Sequence, residues 1–270
     1  TLVVIGRSGT GKSVMLKLMV GLLRPDSGAV LVDGGDVSRL DERGLFRVRE
    51  KFGFLFQGAA LLDSLTVGEN VGLGLVERAG LSPGAAAGIV AEKLALVGMA
   101  GIEGMMPADL SGGMKKRVGL ARALAMNPAI VLYDEPTTGL DPIMADAITG
   151  LIVRLKEKLA VTSVVVTHDL TSARKIADRI AMLYDGRIVF TGPASELDNA
   201  PDSVVRQFVE GRADGPARAD EPVAIESGNA NRSRMRAIFM EIPCDGGPRS
   251  AGRGPTRAKS LPQARDPRPV

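Results

Sequence analysis

Gly6-Arg7-Ser8-Gly9-Thr10-Gly11-Lys12-Ser13 decides how the rest of the chain is read. It has the pattern of a phosphate-binding loop, and its surroundings have the required order. The apolar run Leu2–Ile5 ahead of it reads as a short buried strand. The stretch behind it, with apolar positions at Val14, Leu16, Leu18, Met19, Leu22 and Leu23, reads as a helix. The glycines let the backbone wrap closely, so that N–H groups point inward at a helix N-terminus, where they can hold phosphate oxygens. In such a loop Lys12 neutralises the β- and γ-phosphates, and the Ser13 hydroxyl ligates Mg²⁺.

Working outward, Arg24-Pro25-Asp26-Ser27-Gly28 stops the first helix, and Ala29–Val32 with Asp33-Gly34 reads as a strand and turn. Phe52–Phe56 is a second buried strand, ending at Gln57. From about 58 to 127 the chain is rich in glycine and alanine with helical texture, broken at Ser82-Pro83-Gly84, which predicts a helical insert. Strands return at Ile130–Tyr133 and Val161–Thr167, with a helical pattern over Ile143–Leu159 between them. A hairpin over Ile180–Phe190 turns at Asp185-Gly186. Strands alternating with helices imply an α/β fold with a mostly parallel sheet covered on both faces.

Several residues at strand ends carry chemistry. Ile130-Val131-Leu132-Tyr133 runs into two adjacent acids, Asp134 and Glu135, at the strand edge where α/β sheets place ligands. His168, the only histidine, follows Val164-Val165-Val166-Thr167. Judged singly, Gln57 is a glutamine at a strand end, His168 a lone histidine, and Asp141 a helix cap ahead of Pro142. Ser111-Gly112-Gly113 likewise reads as a capping serine with a flexible glycine pair before a helix through Leu120 and Leu124. Lys115, Lys116 and Arg117 are expected on the polar side of that helix.

Composition narrows the partners. The 270 residues carry a formal net charge of only +3, and 3% are aromatic with no tryptophan, so neither a polyanion surface nor stacking platforms for nucleic acid are expected. One cysteine, Cys244, leaves no internal disulfide or cysteine-rich metal site and fits a reducing compartment. No apolar run approaches the roughly 18 residues that would cross a bilayer. Thr1–Ile5 enters the glycine loop directly, unlike a secretory leader. A cytosolic chain is expected, with any membrane role supplied by a partner.

Together these segments resemble the ABC ATPases over roughly residues 1–210. Leu110-Ser111-Gly112-Gly113-Met114, lying between the loop at Gly6–Ser13 and the run Ile130–Glu135, is similar to the ABC signature. The resemblance implies a P-loop NTPase (RecA-like) core with a helical subdomain over about 58–127. It implies an ATP hydrolase that binds ATP and Mg²⁺ in a sandwich between two copies. Gly6, Arg7, Ser8, Gly9, Thr10, Gly11, Lys12 and Ser13 would bind the nucleotide in one copy, and Ser111, Gly112, Gly113 and Met114 would close over it from the other. Ser13, Gln57 and Asp134 would serve Mg²⁺, and Gln57 would also act in catalysis by touching the attacking water. Glu135 would polarise the attacking water, His168 would contact the γ-phosphate, and Asp141 would cross to the second copy. Gln57 would also sense a membrane permease.

Within the ABC ATPases, Met114, Phe56-Gln57-Gly58-Ala59-Ala60-Leu61, Asp134–Ile143 and Val205–Gly211 are similar to the Mla/Mce-associated ATPases. That similarity implies lipid or phospholipid movement between bacterial membranes, a position on the cytoplasmic face of the inner membrane, and an MCE-domain lipid-binding partner. The alternatives are another cargo, a soluble ABC ATPase outside transport, and a hydrolytically impaired fragment. Two departures stand out. The family pattern has about thirty residues and an adenine-stacking aromatic ahead of the loop, so a truncated or misassigned start is expected. Residues 215–270, rich in Arg, Pro and Gly, are expected to be a disordered tail of readthrough or frameshift origin, which leaves an ABC domain over 1–214.

Overall fold

The computed structural model describes residues 1–217 and Glu241–Ile242. The main sheet has six strands: β1 (Leu2–Ile5), β4 (Phe52–Leu55), β5 (Ile130–Asp134), β6 (Thr162–Thr167), β7 (Arg179–Tyr184) and β8 (Arg187–Pro193). Their spatial order is β4-β5-β6-β1-β7-β8, parallel throughout except for the β7–β8 hairpin. Alternate residues of the buried strands serve two apolar layers, as expected for a parallel sheet covered on both faces. Val4, Ile130, Leu132, Val164 and Val166 pack on one side with Met15, Leu16 and Met19 of α1 (Lys12–Met19). Val3, Ile5, Val131, Tyr133 and Val165 pack on the other.

That second layer continues without a break into the helical region. α3 (Val67–Glu77), α4 (Pro83–Leu96) and α5 (Gly112–Leu124) contribute Val67, Val71, Leu94, Leu120 and Leu124 to the same cluster as Leu55 and Tyr133. Three α-helices thus lie between β4 and β5 in sequence, and α5 packs on both the sheet and the other two. Close approach here depends on glycine: a Cβ on Gly53 in β4 would lie 2.3 Å from the Ala123 carbonyl oxygen in α5. Caps hold the helix starts. Thr66 and Glu69 form a reciprocal capping box at α3, and the Ser82 hydroxyl accepts from Ala85 N–H ahead of Pro83 at α4.

Three details differ from the sequence expectations. The first helix ends at Met19, leaving Leu22 and Leu23 outside it, 52% and 42% exposed. Gly21 adopts φ +65°, and Leu22 N–H bonds back to Lys17 C=O while Gly21 N–H bonds to Leu18 C=O, which is a Schellman stop. A short helix α2 (Glu42–Arg49), capped by Asp41, forms where no helix was expected. The early strand shrinks to a two-residue pair, β2 (Leu31–Val32) with β3 (Gly35–Asp36).

The chain continues through α6 (Pro142–Leu159), α7 (Leu170–Ile176) and α8 (Ser203–Glu210). Of the tail expected to be disordered, residues 215–217 fold back so that Ala217 N–H donates to Gln207 Oε1 at 2.7 Å. Glu241–Ile242 form a short strand, β9, parallel to β2. Residues 218–240 and 243–270, with Cys244 among them, lie outside the described residues. Among the described residues no helix is long and apolar enough to cross a membrane.

The glycine contacts give a paired prediction. Gly53→Ala must push β4 from α5 and should lower stability by about 1–3 kcal/mol. Gly88→Ala, in α4 with open space around the added methyl, should raise it by about 0.5–1 kcal/mol. Urea midpoints read both, and equal shifts would contradict the packing described.

Candidate functional site

The parallel order sets β5, β6 and β1 side by side, so their C-terminal ends open onto one edge of the sheet. The turn Gly6–Gly11 leaves β1 there and enters α1, with Gly9 and Gly11 in left-handed conformations at φ +82° and +95°. A Cβ on Gly6 would lie 2.4 Å from the Leu183 carbonyl oxygen, so the loop can hug β7 only with glycine at that position. The Thr10 hydroxyl donates to Arg7 C=O at 2.9 Å. Lys12 is buried in the turn, and its Nζ donates to the carbonyls of Gly6 and Arg7 at 2.9 and 2.8 Å.

Two side-chain links tie this loop to the end of β5. The Ser13 hydroxyl donates to Asp134 Oδ1 at 2.7 Å, and Lys12 Nζ lies 3.4 Å from Glu135 Oε1. Glu135 is the centre of the cluster. Its Oε2 is 2.9 Å from His168 Nδ1 and accepts from the Thr138 hydroxyl at 3.1 Å. Lys12, Ser13, Asp134, Glu135 and His168 thus converge, although they come from three separate strand ends.

Burial and charge set the protonation of this cluster. Burial holds the Lys12 ammonium below the ordinary lysine range, against the pull of the Glu135 and Asp134 carboxylates. Burial pushes Asp134 up, and the neighbouring Glu135 charge adds to that, while the Ser13 bond opposes it. For Glu135 burial acts upward too, but the His168 bond, the Lys12 charge and the Thr138 bond outweigh it and hold the carboxyl below its usual range. The site therefore keeps an ionised carboxylate at Glu135 beside a buried cation.

The remaining expected residues lie differently. Gln57 is exposed, and its backbone carbonyl, rather than its side chain, is tied into the cluster through Lys116 Nζ. Ser111 caps α5, its hydroxyl accepting from Met114 N–H at 3.3 Å, and Ser111 and Gly112 are exposed. A Cβ on Gly113 would lie 2.3 Å from Met144 Cε, so this turn seats on the start of α6. Asp141 caps that helix, accepting from Ile143 and Met144 N–H at 3.0 Å each, next to Ile143, which is 81% exposed. Ser111, Gly112 and Asp141 are therefore exposed at the starts of two helices that touch through Gly113 and Met144.

One expectation is corrected. Lys116 is not on the polar side of its helix but 5% exposed, and it donates to the carbonyls of Gln57 and Glu135, the latter at 3.1 Å. Arg117 also turns inward, to Val97 C=O at 3.3 Å. Thr138 and Lys116 were not among the expected site residues. Lys116 could have been found from helix geometry, because consecutive residues stand about 100° apart and three in a row cannot share one face.

Comparison with known proteins matches this architecture. Residues 1–138 match the family described as ABC transporter. The "Probable ribonucleotide transport ATP-binding protein mkl" of Mycobacterium bovis is 42% identical over 219 residues, covering 81% of this chain and 61% of its own. This chain thus spans about three fifths of the length of that mycobacterial relative. The "Intermembrane phospholipid transport system ATP-binding protein MlaF" of Haemophilus influenzae is 41% identical over 219 residues, covering 81% of this chain and 83% of its own. Among solved structures, the dimeric post-hydrolysis ATP-binding cassette MJ0796 bound to ADP and Pi superposes with a TM-score of 0.66 at 37% identity, over 72% of this chain and 84% of that one. On the family match, the relatives' identity and the shared fold, the chain belongs to the ABC transporter family.

Proposed function

We propose that this chain is the ATP-hydrolysing subunit of a membrane transporter and works as a pair of copies around two ATP molecules. The observation that carries the proposal is the convergence of Lys12, Ser13, Asp134, Glu135 and His168 on one sheet edge, with Glu135 bonded to His168 and facing Lys12. Gly6–Ser13 wraps the phosphates with backbone N–H groups, and Lys12 exchanges its carbonyl partners for phosphate oxygens. Glu135, kept ionised, orients and polarises a water. His168 holds that carboxylate and reaches the γ-phosphate.

Among the described residues no three His, Cys, Asp or Glu side chains form a metal cage. Ser13 and Asp134 nevertheless offer two hard oxygens 2.7 Å apart, which suits an ion that completes its shell from phosphates and water. They would hold Mg²⁺, with Gln57 brought in on closure, and the ion would neutralise phosphate charge.

Ser111, Gly112 and Asp141 are exposed, which supports the Ser111–Met114 turn closing over the nucleotide of a second copy. The relative MJ0796 is described as dimeric and bound to ADP and Pi, which supports the same arrangement. Closure then acts as a two-state switch, in which ATP must favour the closed pair. The chain would sit on the cytoplasmic face of the membrane through a permease that Gln57 contacts. Similarity to MlaF, with the motif around Met114, supports phospholipid or related lipid as cargo, handed over by an MCE-domain protein. The name of mkl makes a ribonucleotide the competing cargo.

Glu135→Gln should retain ATP and accumulate as a dimer in light scattering, and a monomer at saturating Mg-ATP would contradict the mechanism. Ser111→Arg added to Glu135→Gln should abolish that dimer while leaving ATP binding by the single copy. Co-purification of the native complex should yield a permease with bound phospholipid. A permease carrying no lipid, stimulated by ribonucleotide, would replace the cargo assignment.

A further inference from the structure

Glu135 has a backbone that an ordinary residue rarely adopts. Its φ is +47°, in the left-handed region where a Cβ is strained. Such a conformation persists only where its surroundings over-determine it. Three contacts do so here: Glu135 N–H donates to Val166 C=O in β6 at 3.0 Å, while Glu135 C=O accepts from Lys116 Nζ at 3.1 Å and, within its own turn, from Thr138 N–H at 3.3 Å. The first comes from the neighbouring strand. The second comes from α5, the helix that begins at Ser111.

The same ammonium also donates to Gln57 C=O at the end of β4. Nearby, Arg122 of α5 donates to Ala59 and Ala60 C=O at 2.6 Å each, and both alanines are themselves left-handed, at φ +62° and +50°. Two cations on the inner side of α5 therefore hold the turn after Gln57, and one of them reaches on to Glu135. Burial holds the Lys116 ammonium below the ordinary lysine range, while the Asp134 and Glu135 carboxylates draw it back upward. A buried lysine costs desolvation free energy, which the two carbonyl bonds of Lys116 help to offset.

We infer that Lys116 is a positioning residue: it clamps the backbone of Glu135 in its left-handed conformation and couples that carboxylate to the turn at Gln57 and to the helix headed by Ser111. The inference rests on Glu135 being the hydrolytic carboxylate. A displacement of α5 is then transmitted through one side chain to both strand ends. A neutral residue at 116 leaves the nucleotide loop intact and lets the carboxylate drift.

The test is steady-state ATP turnover and thermal melting of the full chain carrying Lys116→Met, Lys116→Gln or Lys116→Arg. Met and Gln should each lower kcat by at least about tenfold with KM for Mg-ATP within about twofold, because small misplacement of a reacting group is costly. Arg, which keeps the charge and several donors, should recover most of kcat. If Met fails to fold, the Gln and Arg variants carry the comparison. Wild-type kcat in a folded Met or Gln variant overturns this inference alone. Equal losses of melting temperature and kcat in Gln and Arg assign Lys116 a purely structural role and overturn it as well. A wild-type chain that turns over no ATP overturns the inference together with the function on which it rests.

Discussion

The structure depends on the adjacency of β5, β6 and β1 as parallel neighbours. Parallel pairing makes their C-terminal ends coincide, and each end supplies one part of the site: Asp134 and Glu135 from β5, His168 after β6, and the glycine turn with Lys12 after β1. Apolar layers on both faces fix the register of these strands, so the polar ends have little freedom. The Ser13–Asp134 and Glu135–His168 bonds join groups that are 121 and 33 residues apart in sequence. An antiparallel arrangement of the same strands would scatter these groups between opposite edges.

A second constraint follows from the first. Once β4 lies beside β5, the helix α5 packs on β4, and it can do so closely only because Gly53 and Gly119 present no side chain. That close packing brings Lys116 and Arg122 within reach of the carbonyls at 57, 59, 60 and 135. The helical insert thus shares a core with the sheet and grips the strand ends with charged side chains. On the proposed function, this is the route by which Ser111–Met114, facing a second copy, connects to the carboxylate of its own chain.

Much of this could be read from sequence, for identifiable reasons. Apolar runs of three or four residues leading to Gly6, Asp134 and Thr167-His168 marked buried strands, and polar residues at such ends point to a ligand edge. Asp141 and Ser111 were recognisable caps because Asp and Ser ahead of a helical pattern satisfy free N–H groups. What stayed hidden depended on tertiary contact. The helix stop at Gly21 overrides an apolar pattern that continues through Leu22 and Leu23. The α2 helix offered only Asp41 and a short amphipathic stretch. That Lys116 meets carbonyls depends on the close packing of α5, although helix spacing already bars three successive residues from sharing one face, and the left-handed backbone of Glu135 leaves no trace in residue type.

The central claim is that one chain assembles the hydrolytic carboxylate but only two chains complete the nucleotide site. ATP turnover per chain, measured at saturating Mg-ATP across a dilution series of the isolated protein, tests it most directly. The account predicts that turnover per chain rises with protein concentration and levels off once pairs predominate. Turnover per chain that stays constant down to concentrations at which light scattering finds only single copies with ATP bound would contradict it.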